Sequence, residues 1–333
     1  MTLEDASVDQ VPNHGSIRLP KALDYRHLGE LFRVCEQVRS TTGTIVLDGQ
    51  DVEFIDPLGI AVLGALLEPL AAQHTIRLEW LRAEIGSYLD RMDVLERCSI
   101  EGVEVRPYVP NDRRHSLVEL TRLCSANEVD EAAERLASAI IGPIVDSPDD
   151  VSRYAYPLQY SLGELLLNAL THAKKEGRAQ ASVWVAAQYY TKTGVVRVAV
   201  VDNGCGPFAT LQHSPKLAEK SHVGAILAAL EPFVTCNPDT GAALVGETTN
   251  RGIGLTTTRR IATAANGKLV ITSGNATVTA DRSAHPMELP EGACWNGTAI
   301  LMTCQRSKLP SVNVQQLFPQ VPGLPTVKPL FVD

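Results

Sequence analysis

The segment 158–174, LQYSLGELLLNALTHAK, constrains the fold more than any other stretch of the chain. Apolar residues occupy most sides of it: Leu162, Leu165, Leu166, Leu167, Ala169, Leu170 and Ala173. A helix of this kind must be covered over most of its surface, so it belongs inside a layered domain. Glu164, Asn168 and His172 are set into it at i, i+4 and i+8, which places them on one face. One reading of that face is a narrow solvated stripe. The other is a polar row turned into a cavity, with a carboxylate able to orient a water or hydroxyl one turn from a neutral oxygen ligand for Mg²⁺.

Three further segments carry chemistry. An apolar strand, VVRVAVVDNGCG at 195–206, ends at Asp202 with Gly204 and Gly206 immediately after it. Asn203-Gly204 is also a hairpin signal, but 205–214 shows no returning alternating strand. A carboxylate at the mouth of a sheet beside two glycines suits a ligand that donates a hydrogen bond while the backbone approaches closely. Asn250-Arg251-Gly252-Ile253-Gly254-Leu255 leads directly into a helical pattern, and free amides at a helix start can receive an anion. By itself it is also an ordinary helix-entry loop. Asn296-Gly297-Thr298 is a turn before a last apolar strand. No GxxxxGK[ST] occurs, so the P-loop solution to phosphate binding is absent.

The order of these segments, ExxxNAxxHA, DNGCG, a long intervening stretch, GIGL and GT, resembles the GHKL or Bergerat-type ATP-binding domain. Type II topoisomerases, heat-shock chaperones of the ninety-kilodalton class, mismatch-repair ATPases, histidine kinases and anti-sigma-factor serine kinases share it. The resemblance spans 117–306 and implies a two-layer α/β sandwich that binds ATP with Mg²⁺. It implies that Asn168 holds Mg²⁺, that Asp202 accepts from the adenine amino group with Thr298 in support, and that Gly204 and Gly206 let the adenine pocket form. Gly252 and Gly254, leading into Leu255, would present amides to the phosphates, and Arg251 is either a further phosphate contact or an exposed charge. Glu164 would be the general base and 207–251 the lid.

Ahead of this domain, strands at 16–19, 44–48, 75–81 and 103–106 alternate with helices at 25–39, 58–73 and 85–95, the pattern of a small α/β domain. The polar stretch 107–116 reads as a linker, 1–14 as a leader and 307–333 as a Pro-rich tail without regular core elements. Within the first domain, TIVLDGQDVEFIDPLGIAVLGALL at 44–67 resembles the STAS domain of anti-sigma-factor antagonists over 15–106. Antagonists of that family carry a hydroxyl at the start of the helix, where a partner kinase phosphorylates it. Here the stretch is Asp56-Pro57-Leu58-Gly59, and neither Pro nor Leu can accept a phosphoryl group. A fixed docking or sensing module is therefore expected, or a domain that only packs against the second. The combined fold expected is α/β followed by α+β.

Composition narrows the function. A net charge of −8, with 30 Lys and Arg against 38 Asp and Glu, argues against a nucleic-acid or anionic-membrane coat. The longest apolar run, 58–67, is too short to span a bilayer, and the acidic first residues do not form a secretory signal, so a cytoplasmic protein is expected. Seven scattered cysteines without a CxxC read as reduced thiols. His172 lies in the nucleotide box and His27 in the first domain, so neither reads as a histidine kinase's phosphoacceptor. The expectation is a signal-transduction protein with a regulatory protein partner, acting as an ATPase or serine kinase, with a homodimer left open. The alternatives are a nucleotide switch without turnover, or an ATPase subunit of a stress or defence assembly.

Overall fold

The structure is a computed structural model that describes residues 15–106, 116–141, 148–234 and 252–320. The β-α alternation of the first hundred residues folds as strands β1 (Ile17–Arg18), β2 (Ala22–Leu23), β3 (Ile45–Asp48), β4 (Phe54–Ile55), β5 (Ile76–Glu79) and β6 (Ile100–Glu101). Between them lie helices α1 (Leu28–Ser40), α2 (Pro57–Leu67), α3 (Ala83–Arg91) and α4 (Val94–Arg97). The sheet order is β1-β3-β5-β6, all parallel, as strands joined by helical crossovers must be, with β2 and β4 a separate parallel pair. Three expectations shift. The helix expected at 58–73 stops at Leu67, just ahead of Pro69, which cannot continue the backbone bonding. The helix expected at 85–95 breaks at Asp93, whose left-handed backbone (φ 62°) is a conformation that Asp tolerates. The last strand is β6 and not 103–106, which joins no strand among the described residues.

The second half builds one antiparallel sheet from β7 (Leu117–Leu123), β8 (Val183–Tyr190), β9 (Val195–Asp202), β10 (Lys268–Gly274), β11 (Ala276–Ala280), β12 (Ala284–Glu288) and β13 (Trp295–Gln305). Their order is β12-β11-β10-β13-β9-β8-β7. The helices are α5 (Val129–Ile141), α6 (Pro148–Ala173), α7 (Gly206–Leu211), α8 (His222–Leu230), α9 (Gly254–Ala264) and α10 (Val314–Leu317). A short 3₁₀ turn precedes α5, and the Ser125 hydroxyl caps it by accepting from the Asn127 amide. α6 begins ten residues earlier than its apolar pattern suggests and runs through Pro157, with Ala155 and Leu158 both buried in the core.

The side-chain alternation of the strands sorts this sheet into two buried faces. Val183, Val185, Val198, Val200, Ile271 and Ile300 face α5, α6 and α9. Trp184, Ala186, Ala199, Val201, Val270 and Leu301 face the other way, into one core shared with the N-terminal unit. The sandwich therefore does not leave its second face to solvent. α2 lies against β8 and β9, and all of its residues are buried, which is why its sequence is apolar on every side. A Cβ on Gly59 would lie 2.3 Å from the Leu23 carbonyl oxygen, and one on Gly64 would lie 2.7 Å from Leu120, so both glycines let α2 seat between the sheets.

The C-terminal stretch departs from its expected irregularity. Residues 306–311 form a 3₁₀ helix and α10 follows, with Leu309, Val314 and Phe318 buried in the core beside α6 and α9. The prolines stand in or beside short elements, Pro310 inside the 3₁₀ helix and Pro319 after α10, and the apolar residues between them fill the surface left by α6. Residues 321–333 lie outside the described residues, as do the expected leader and all of the expected linker except Ser116. Among the described residues no helix is long and apolar enough to cross a membrane.

Candidate functional site

Tertiary packing brings together the polar face of α6 and the glycine loop at 252–254. Leu162, Leu165 and Leu166 are buried against the sheet, leaving Glu164, Asn168 and His172 on the partly open side of α6. Gly254 is the first residue of α9, and a Cβ there would lie 2.1 Å from Glu164 Oε2 and 3.1 Å from Asn168 Nδ2. Two segments almost ninety positions apart thus meet where only a glycine fits. No side chain caps α9, so its leading amides keep their capacity to receive an anion. Burial pushes the Glu164 carboxyl above its ordinary pKa, partly offset by a hydrogen bond from Tyr160, a direction that suits a base working near neutral pH.

Gly252 adopts a left-handed backbone (φ 67°) and sits against the end of the α8 segment, where Phe233 N–H donates to its carbonyl at 2.7 Å. Leu255 is partly buried and packs on the α6 core, an anchor for the helix start. Arg251 lies outside the described residues. Of the expected lid, α7 and α8 are described and share a small core of Leu211, Leu217 and Ala225, and Ser221 caps α8 through the Gly224 amide at 2.9 Å. Residues 235–251 lie outside the described residues.

The other end of α6 meets the end of β9. A Cβ on Gly204 would lie 2.3 Å from the Ala173 Cα, and the Cys205 thiol donates to the His172 carbonyl at 3.4 Å. Gly206 has φ 72° and leads into α7, so Asn203-Gly204 turns the chain into a helix and not into a hairpin. Asp202 is buried, and its Oδ1 accepts from the Gly204 amide at 2.9 Å. The Thr298 hydroxyl and amide also donate to this carboxylate, while burial pushes its pKa up to about 6. A Cβ on Gly297 would lie 2.1 Å from the Asp202 carbonyl oxygen, so the turn before the last strand is another forced glycine. His172 is held neutral, its pKa lowered to about 4 by burial and by Lys175 nearby.

One residue here escapes the motif reading. Trp295 Nε1 donates to the Asp202 carbonyl at 3.0 Å, and nothing in local sequence pattern ties a tryptophan at 295 to an aspartate at 202. Gly254 meets Glu164 and Asn168 on α6, while Asp202 meets Gly204, which packs on Ala173 at the end of the same helix. Among the described residues no group of three His, Cys, Asp or Glu side chains could hold a metal, so a cation at Asn168 would take its remaining ligands from phosphate oxygens and water.

The start of α2 is not part of this site. Asp56 Oδ1 caps it through the amides of Leu58 and Gly59 at 2.9 and 3.2 Å, and Oδ2 pairs with Arg197 Nη1 at 3.0 Å. Arg197 points from β9 to the face opposite α6 and lies over the rings of Tyr25, Phe54 and Tyr190 at 5.8, 6.0 and 5.0 Å. The six described cysteines are free.

Residues 155–289 match the family of histidine kinase-, DNA gyrase B- and HSP90-like ATPases. No curated protein matches the chain.

Proposed function

With a GHKL-type ATPase domain at 155–289 as the premise, we propose that this chain is a cytoplasmic ATP-binding regulator of the anti-sigma-factor serine kinase type, with an STAS-like unit fused ahead of it. The observation that carries the reading is the contact of Gly254 with Glu164 and Asn168, which puts a helix start, a base and an oxygen ligand at one point. Gly252 and Gly254 receive the phosphates through backbone amides. Asp202 and Thr298 accept and support the adenine amino group, and Gly204 and Gly206 let the base approach. Asn168 would hold Mg²⁺, which would supply neutralisation of charge on the phosphate oxygens. Glu164 takes the proton of the hydroxyl that attacks the γ-phosphorus, and ADP leaves as the β,γ-bridging P–O bond breaks.

That hydroxyl belongs to water or to a Ser or Thr of a partner chain. The start of α2 offers no hydroxyl and is buried on the opposite face of the sheet, which supports an acceptor in trans. Closure of the α7 and α8 segment over the nucleotide changes the surface a regulatory partner meets.

Incubation with γ-labelled ATP and Mg²⁺, with and without candidate partners, tests this. Glu164→Ala should keep ATP binding and lower phosphate release or transfer by about a hundredfold or more. Asn168→Ala should abolish Mg²⁺-dependent binding. Label on a partner assigns a kinase, and release without transfer assigns an ATPase. Binding without either in the unaltered protein leaves a nucleotide switch, and absence of ATP binding overturns the reading.

A further inference from the structure

Trp295 opens β13 and is fully buried, beyond the stretch that matches the ATPase family. Its indole N–H finds its partner in the carbonyl of Asp202, the last residue of β9. A buried indole has one donor, so that bond fixes the ring and the strand end relative to each other.

The other side of the ring belongs to the N-terminal unit. Phe32 of α1 packs on it with ring centroids 5.6 Å apart, and Arg39 of the same helix lies over the indole at 4.7 Å. α1 presses on the segment that leads into Trp295. A Cβ on Gly29 would lie 2.7 Å from the Pro290 ring, and Leu289 and Ala293 are buried in the same core as Phe32. A continuous line of contacts therefore runs from α1 through Trp295 to Asp202.

We propose that Trp295 is a positioning residue, held by α1 and holding Asp202, through which the N-terminal unit tunes the affinity and base preference of the nucleotide site. This rests on reading Asp202 as the adenine contact. A carboxylate in a fixed place accepts from the amino group of adenine and repels the carbonyl oxygen that guanine carries there. A carboxylate free to shift discriminates less. Because binding couplings are reciprocal, nucleotide must also steady α1.

The test uses the full chain with Mg²⁺, measuring ATP and GTP by competition against a fluorescent ATP analogue alongside thermal unfolding. Trp295→Phe keeps the ring and removes the donor, and should weaken ATP about three- to tenfold, the effect of one hydrogen bond, with the preference for ATP over GTP falling in step. Arg39→Met, at a side chain partly open to solvent, should do the same and carries the test if Trp295→Phe costs the fold. A purely structural role would lower the melting temperature and the active fraction but leave the preference of the folded molecules unchanged. ATP should also slow amide exchange across α1.

The proposal is overturned if Asp202→Asn abolishes the ATP preference while Trp295→Phe and Arg39→Met keep it, or if ATP leaves exchange in α1 unchanged. If the unaltered protein shows no preference that Asp202→Asn removes, the reading of Asp202 fails and the proposal falls with it. Asp202→Asn thus distinguishes the two failures.

Discussion

Asp202 accepts from an amino group more strongly when ionised, and burial raises its pKa to about 6. ATP affinity should therefore fall as pH is lowered through about 6, and Asp202→Asn should remove that dependence; isothermal titration across pH 5–8 reads both. The stability sign is opposite. A carboxyl whose pKa is higher folded than unfolded favours the folded state at low pH, and this contribution is lost as pH rises from about 4 to about 6. Asp56, also raised to about 6 by burial despite Arg197, adds to the same window. His172, lowered to about 4, contributes in the opposite sense, so urea midpoints of the nucleotide-free protein should decline more over that range than those of Asp202→Asn. At the other end of the site, Gly254→Ala places a methyl on the Glu164 carboxylate, and turnover should drop by about a hundredfold with the fold retained. The sequence named Glu164, Asn168, Gly254 and Asp202 because their types and spacings are local. It missed Trp295 because its partner is a backbone carbonyl of a distant strand.

The helices show how local pattern and environment divide the work. Periodicity located α1 to within a few residues, since an amphipathic stripe is written in the chain itself. α2 was legible as a helix but not in its role, because an apolar surface on all sides says only that it is covered and not by what. The covering is tight enough to test. At Gly59 an added Cβ meets backbone, the Leu23 carbonyl, whereas at Gly64 it meets the movable end of Leu120. Gly59→Ala should destabilise by about 1–3 kcal/mol and Gly64→Ala by less, as read from denaturant midpoints. The strands β7 and β12 were not read, and 307–317 was read as irregular where short helical elements stand. They are short or weakly patterned and are held by pairing with β8 and β11 or by packing on α6 and α9.

On the scale of the molecule, the two halves share one core across the second face of the large sheet. A chain of residues 116–320 alone would expose Trp184, Val201, Leu301 and their neighbours as a continuous apolar surface. Such a fragment should precipitate or bind a hydrophobic dye strongly where the full chain does neither, and solubility with dye fluorescence checks it. The sequence by itself determined the α/β alternation, the order of the four glycine- and carboxylate-bearing segments and the absence of a hydroxyl at Pro57 and Leu58, because each is a property of residue type and short spacing. Tertiary structure alone decided that the N-terminal unit backs the ATPase sheet, that Asp56 faces Arg197, and that Trp295 joins α1 to Asp202. Those are contacts between residues far apart in the chain, set by which faces bury each other, and that competition has no local signature.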